Sequence, residues 1–211
     1  MELLTNGMGL SVVVFFPLIS AFIITLITKA QEQWIKRFAL VSSLITFVLS
    51  AVLLFQFDFS SADKLQLGNK ISWIKSINAN YEIGIDGISL PLLVLSTFIT
   101  VLAIIYSIEH LPEPKSPKGF LALILVLETG MNGTFVALDL ILFFVFFEIV
   151  LLPMYFMIGI WGDKTVRTVS GFKNQIETRL YASIKFFVFT LFGSAFMPVS
   201  YTHLTLPTSS R

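Results

Sequence analysis

Long apolar runs alternate with short polar links along the chain, and six of the runs are long enough to cross a bilayer as helices. About 20 apolar residues cover about 30 Å of hydrocarbon. The first run is Met8 to Thr28, with Pro17 inside it as a kink of the kind that neighbouring helices accommodate. The second runs from Phe38 to about Phe57 and carries no charge, and the third from Ile88 to about Ser107. The fourth, Gly119 to about Leu138, contains Glu128. A tight turn leads into the fifth, Asp139 to Trp161, which reads DLILFFVFFEIVLLPMYFMIGIW. The sixth opens at Leu180, contains Lys185 and runs to Met197.

The links carry their own patterns. Lys29, Glu32, Lys36 and Arg37 charge the first link, and residues 58–87 form the one sizeable polar loop. Within that loop Ile71, Trp73, Tyr81, Ile83 and Ile85 alternate around Asn78-Ala79-Asn80, which predicts a β-hairpin. Three prolines between Glu109 and Lys118 mark a loop. Residues 163–179 form a basic linker with Lys164, Arg167, Lys173 and Arg179 against Asp163 and Glu177.

Lys and Arg collect on the cytoplasmic side of membrane proteins. The 29–37 and 163–179 links fall on one side if six spans are right. That orientation puts the N-terminus and the hairpin on the extracytoplasmic side of an inner (plasma) membrane, although three Lys in 58–87 reduce the contrast. The last stretch, PVSYTHLTLPTSSR, breaks the pattern with Pro198 where a span should still be running. It resembles translated sequencing-adapter read-through. The expected organisation is therefore a transmembrane helical region over 1–197, a non-native tail over 198–211, and a chain truncated near Met197.

Composition sharpens the picture. Of 211 residues, 55% are hydrophobic and 22 are Phe, more than the core of a soluble domain can hide. The mean hydropathy is +0.86. A net charge of +1 without a basic patch argues against nucleic acid, and the lack of Cys excludes disulfides and thiolate chemistry. His110 and His203 are isolated, so no metal site is expected. The first run is long and lacks a basic leader, which does not fit a cleavable signal peptide. The fold class is thus all-α: a polytopic membrane protein of about six transmembrane helices with a small extracytoplasmic β-hairpin.

Three ionisable residues lie inside predicted spans: Glu128, Glu148 and Lys185. Glu148 stands nine residues after Asp139, about 13 Å along a helix and near the bilayer midplane. A charge there costs about 2.5 kcal/mol or more, so such residues are usually neutralised, paired or functional. Glu128 stands at similar depth on the preceding antiparallel span, and Lys185 one to two turns inside the sixth. A cation moving toward or away from a buried carboxyl changes its proton affinity, which is the chemistry of a proton relay. Simpler roles exist for each. An intramembrane Glu can accept hydrogen bonds from a neighbouring helix, Lys185 can snorkel to the interface, and Asp139 can be a helix N-cap. Pro153 is a kink candidate one turn past Glu148. No GxGxxG, Walker, Ser/His/Asp or metal-ligand pattern occurs, so no site for nucleotide, flavin or covalent chemistry is expected.

The run from Ala137 to Gly162, with YEIGIDGISLPLL at 81–93 and YASIKFFVFTLFGSAFM at 181–197, resembles the M subunit (chain 4) of NADH:quinone oxidoreductase, respiratory complex I. These segments span nearly all of 8–197 in the family's order. The resemblance implies an antiporter-like, proton-translocating subunit of about fourteen helices, of which this chain is an N-terminal fragment. It implies that Glu148 is the family's essential glutamate, Asp139 its acidic residue at the start of the fifth helix, and Lys185 the lysine of a KFF string. Glu128 matches no motif. The family's broken seventh helix, its later lysines and its second inverted repeat lie beyond Met197. By the same resemblance the chain holds no cofactor. NADH, flavin, iron–sulfur clusters and quinone belong to partner subunits, and the partners are the other membrane subunits and the lipid bilayer. Two alternatives stand: a subunit of a multisubunit cation/proton antiporter, or an inactive truncated membrane scaffold.

Overall fold

A computed structural model describes residues 7–28, 31–62, 64–75, 79–111, 116–167 and 176–205. Lys29, Asn78, Pro112, Pro114, Lys173 and the end of the tail beyond Thr205 lie outside the described residues. Among the described residues, six helices are long and apolar enough to cross a membrane: α1 (Met8–Leu26), α2 (Glu32–Gln56), α3 (Ser89–Glu109), α4 (Pro117–Val136), α5 (Leu140–Trp161) and α6 (Thr178–Thr205). Their outward faces are apolar, with Phe55 90% and Phe189 81% exposed. Large aromatic side chains left uncovered along whole helices suit lipid and not water. The chain is a multi-pass membrane protein.

The helix ends follow local chemistry. Helix α2 starts at Glu32, six residues before its apolar run, because Glu, Lys and Arg are good helix formers that extend a helix past the hydrocarbon. Helix α3 is opened by a reciprocal pair. Asp86 Oδ1 accepts from the Ser89 N–H at 2.7 Å, and the Asp86 N–H donates to Ser89 Oγ at 2.9 Å. Pro117 is the first residue of α4, where its missing N–H costs nothing. The start of α4 is tied to the end of α1 by Lys118 Nζ, which donates to the Ile27 carbonyl at 2.7 Å. Helix α6 does not stop at Pro198: its backbone runs on to Thr205. A proline removes one hydrogen bond and bends a helix without being obliged to end it.

The 58–87 loop holds an antiparallel hairpin, β1 (Gln66–Ile74) and β2 (Ala79–Ile85), with Ile71 opposite Tyr81. Its register slips between Gln66 and Asn69, where Leu67 has φ 53°, a left-handed conformation unusual for a branched side chain. The 163–179 link contains a second, minimal pair that the sequence pattern does not predict, β3 (Val166–Arg167) with β4 (Ile176–Glu177). Two residues per strand are too few to leave an alternation.

Helix α4 is the hub, packed against α1, α2, α3 and α5, while α6 packs chiefly on α5. The interior divides by depth. A cluster at the hairpin end includes Val14, Leu53, Leu90, Leu93, Val136 and Phe146. A second cluster at the far end includes Ile24, Ile35, Ile104, Leu121 and Leu125. Buried hydroxyls lie between the two on α2 (Ser42, Thr46, Ser50) and α3 (Ser96, Thr97, Thr100).

Candidate functional site

Glu148 lies on the face of α5 that meets α6. The two helices run antiparallel in one register. Ser194 Oγ donates to Glu148 Oε1, the Tyr155 and Phe187 rings lie 5.2 Å apart, and Gly159 leaves room for Ser183. Residues 148, 155 and 159 share a helix face at a spacing close to whole turns. The hydroxyl of Ser194 also reaches the Leu191 carbonyl at 3.1 Å. Glu148 is half-buried and Ser194 8% exposed, so the pair sits inside the α5/α6 seam rather than on the lipid face.

Asp139 is the N-cap of α5 and also a clamp. Its Oδ1 accepts from the N–H groups of Ile141 at 2.8 Å and Leu142 at 3.2 Å. Its Oδ2 accepts from the Asn80 N–H of β2 at 3.0 Å. The neighbouring Leu138 N–H donates to the Glu82 carbonyl at 2.9 Å, and Ile83 bridges Ala137. The turn between α4 and α5 is thereby stitched to the hairpin, which fixes how deep α5 sits.

Lys185 is exposed on α6, with its Nζ 5.7 Å from the centroid of the Tyr181 ring. Nine residues separate it from Ser194, about 13 Å along the helix, so this arrangement does not bring it to Glu148. Asp139, Glu148 and Lys185 mark three levels of the α5/α6 pair: one end, the middle and the other end.

Glu128 belongs to a different face. On α4, Gly130 and Gly133 meet α5 at close range. A Cβ on Gly130 would lie 2.6 Å from Val150 Cγ2 and 3.1 Å from the Val150 nitrogen, and one on Gly133 would enter the Phe146 ring. Two residues of helix turn by about 200°. Glu128 therefore points away from α5 while Gly130 points at it. One turn on, Asn132 Oδ1 accepts from Ser96 Oγ of α3 at 3.3 Å, which fixes the side to which Glu128 faces. The two carboxyls are at similar depth, as their equal distances from the turn imply, but α4 stands between them. The trio of Glu128, Glu148 and Lys185 is not assembled among the described residues.

Ser194 and Asn132 escape sequence reasoning. Each is a small polar residue in an apolar run, and its value depends on the partner helix. The usable signal for Ser194 is the antiparallel register set by the α5–α6 link.

Residues 12–134 match the family model described as NADH-ubiquinone oxidoreductase chain 4, amino terminus. Residues 137–209 match a second, described as NADH:quinone oxidoreductase/Mrp antiporter, TM, and that match reaches into the 198–211 stretch. Among curated relatives, an NADH-quinone oxidoreductase subunit M of Rickettsia typhi is 35% identical over 193 residues, covering 89% of this chain and 36% of the relative. An NAD(P)H-quinone oxidoreductase chain 4 of Gloeobacter violaceus is 36% identical, covering 90% and 32%. An NADH-ubiquinone oxidoreductase chain 4 of Mycosarcoma maydis is 38% identical, covering 91% and 37%. The chain thus spans about a third of the length of these relatives. A chain in the structure of a membrane-bound sulfane sulfur reductase, an archaeal respiratory membrane complex, superposes with a TM-score of 0.68 at 20% identity. That likeness covers 90% of this chain and 35% of the other, and it concerns the fold alone.

Proposed function

The chain belongs to the NADH-ubiquinone oxidoreductase chain 4 family, and from that premise we propose that it is the N-terminal part of a proton-translocating membrane subunit of NADH:quinone oxidoreductase. In that reading the subunit couples electron transfer from NADH to quinone with proton movement across the membrane. The observation that carries it is Glu148, a carboxyl midway along α5, held across the α5/α6 seam by Ser194. A carboxyl that exchanges a proton at this depth serves transfer between the two sides. Asp139 and Lys185 flank it as the acidic and basic ends of the same helix pair. NADH, flavin, iron–sulfur clusters and quinone are assigned to partner subunits, and this chain supplies no redox site. Its partners are neighbouring membrane subunits of the complex.

The basic 29–37 and 163–179 links support a cytoplasmic placement of those links in an inner (plasma) membrane. The N-terminus and the hairpin are then extracytoplasmic. Labelling of a single cysteine introduced near residue 65 by an impermeant reagent from outside, with none near residue 170, is the expected result. The pattern PVSYTHLTLPTSSR still supports a non-native origin for 198–211, which the sequence of the native locus tests directly.

The test of the function is Glu148→Gln in the full-length subunit within its complex. Gln keeps the shape and accepts from Ser194 but cannot carry a proton. Quinone-coupled proton uptake in membrane vesicles should fall by about a hundredfold, the scale of a positioned acid–base group, with normal assembly on a native gel. Glu148→Asp should retain part of the activity. Normal uptake by an assembled Gln variant overturns the proposal. A cation/proton antiporter subunit is the second reading, because the model matching 137–209 is described for both families. Uptake that requires a monovalent cation and no quinone would favour it.

A further inference from the structure

Glu128 is fully buried, and neither of its carboxylate oxygens has a hydrogen-bond partner among the described residues. Three further buried atoms share that condition: the amide nitrogen of Asn132 one turn along α4, Ser42 Oγ on α2, and Gln56 Oε1 at the hairpin end of α2. Interiors rarely leave polar atoms unpaired, and each case calls for an explanation.

The hydrogen bonds between helices give the level of each group. Ser50 and Thr97 share a bond at 2.7 Å, and Ser96 meets Asn132, so these four form one layer. One turn toward the far end come Thr46 on α2, Thr100 on α3 and Glu128 on α4. One turn further on α2 is Ser42. Three helices therefore face one another with a polar strip at mid-depth, closed at the hairpin end by Leu53, Leu90, Leu93 and Val136. At the other end Ile35, Ile104, Leu121 and Leu125 close it. Thr46, Thr97 and Thr100 donate their hydroxyl protons to carbonyls of their own helices, so they turn lone pairs, not donors, toward the strip.

Among the described residues no cation is at hand. Helix α1 has no ionisable residue. The ionisable groups of α2 are Glu32, Lys36 and Arg37, and those of α3 are Tyr106 and Glu109, with His110 just past its end, all near the far ends. Lys118 of α4 is bound to the Ile27 carbonyl. Helix α5 offers Tyr155, directed at Phe187, and Glu148, directed at Ser194. A carboxylate at Glu128 would be a charge with no cation beside it and no bond to the two unpartnered donors, the Asn132 amide and the Ser42 hydroxyl, while Thr46 and Thr100 offer it only acceptors. A carboxylic acid instead has a proton to give to those lone pairs, and bridging water is the usual partner of buried polar atoms left over.

We propose that Glu128 is a second proton-binding site of this chain, a protonated carboxyl in a closed, hydrated strip between α2, α3 and α4, separate from Glu148. The site does not depend on the role assigned to Glu148, because α4 divides the two.

The test uses the complete complex in native membrane vesicles. Dicyclohexylcarbodiimide adds only to a protonated carboxyl, and peptide mass spectrometry finds the adduct. The expected result at neutral pH is an adduct on Glu128, absent from Glu128→Gln and undiminished in Glu148→Gln. An infrared difference spectrum between alkaline and neutral pH should show a protonated-carboxyl band that Glu128→Gln alone removes. Lack of that band in the wild type overturns the proposal even if the reagent cannot enter. Protection of Glu128 by sodium at constant pH also overturns it, in favour of a cation site. Loss of the adduct in Glu148→Gln overturns the separateness of the two sites, leaving the Glu148 proposal to its own uptake assay.

Discussion

Two seams of this bundle each hold a glutamate at mid-depth, and they are built differently. The α5/α6 seam has one neighbour on each side, a half-buried Glu148 and a hydroxyl donor in Ser194. The α2/α3/α4 seam is enclosed by three helices, and its Glu128 accepts from no donor among the described residues and has threonine acceptors at its level. The same side chain at the same depth is therefore hydrogen-bonded in one seam and unbonded in the other. What separates them is helix α4, whose Gly130 and Gly133 let it approach Val150 and Phe146 of α5 at close range.

The strongest way to break this contrast is Gly130→Leu. A side chain there meets the Val150 backbone nitrogen and the Phe146 carbonyl, which cannot rotate away. Overpacking of this kind costs about 1–3 kcal/mol or more. Little assembled complex is expected on a native gel. Full assembly would mean that the α4/α5 contact is loose and that the seams are not isolated from each other.

Asp139→Ala comes next. It removes the acceptor of two N–H groups of α5 and of the Asn80 N–H of the hairpin. Loss of such a cap costs about 0.5–2 kcal/mol. Thermal denaturation of the solubilised complex should show the drop, while Asp139→Asn, which keeps an acceptor oxygen, should recover most of it. Equal loss in both variants would point to the charge and away from the cap.

Ser194→Ala sharpens the contrast by leaving Glu148, like Glu128, without its bonded hydroxyl donor. One hydrogen bond is worth about 1 kcal/mol, or about fivefold in rate. Coupled proton uptake should fall by about that factor, with carbodiimide labelling of Glu128 unchanged. A change at Glu128 would show that the seams communicate.

The smallest effect concerns the start of α3, the helix that presents Ser96, Thr97 and Thr100. The Ser89 N–H holds Asp86 below its ordinary value of 3.8 against the opposing desolvation, with the Ile88 N–H adding to the lowering. A carboxylate lowered in the folded state stabilises it above the ordinary value, and that contribution is lost as pH falls through the folded value. Acid should therefore loosen the start of α3 below about pH 3.8. The protection of the Ile88 and Ser89 amides, relative to their intrinsic exchange at each pH, should fall there in the wild type and stay constant in Asp86→Asn.

The spans, the hairpin and the cap at Asp139 are legible in the sequence because each rests on a local signal: length of apolar run, alternation, or an acid ahead of a helix. Glu148 is legible for the same reason, as a lone charge in the middle of a run. The direction in which Glu128 points is not. It depends on the phase of α4, which the two glycines set by matching Phe146 and Val150 of another helix. The serines and threonines of α2 and α3 carry no signal alone, since a hydroxyl in a span can bond to its own helix and pass as apolar. The start of α2 at Glu32 and the two-residue strands fall outside hydropathy for simpler reasons of propensity and length.

The stitching of the α4–α5 turn to the hairpin has a mechanical meaning. Helix α5 is a beam built into a wall at one end, through Asp139 to Asn80 and Leu138 to Glu82. A beam so held cannot slide along its length, but it can bend, and Pro153 puts the weak point five residues beyond Glu148. Displacement then grows with distance from the clamp. The carboxyl stays nearly still while the stretch past Pro153, with Tyr155 and Gly159 against α6, swings. Motion in this helix pair arrives at Glu148 as a change of neighbours, not of depth.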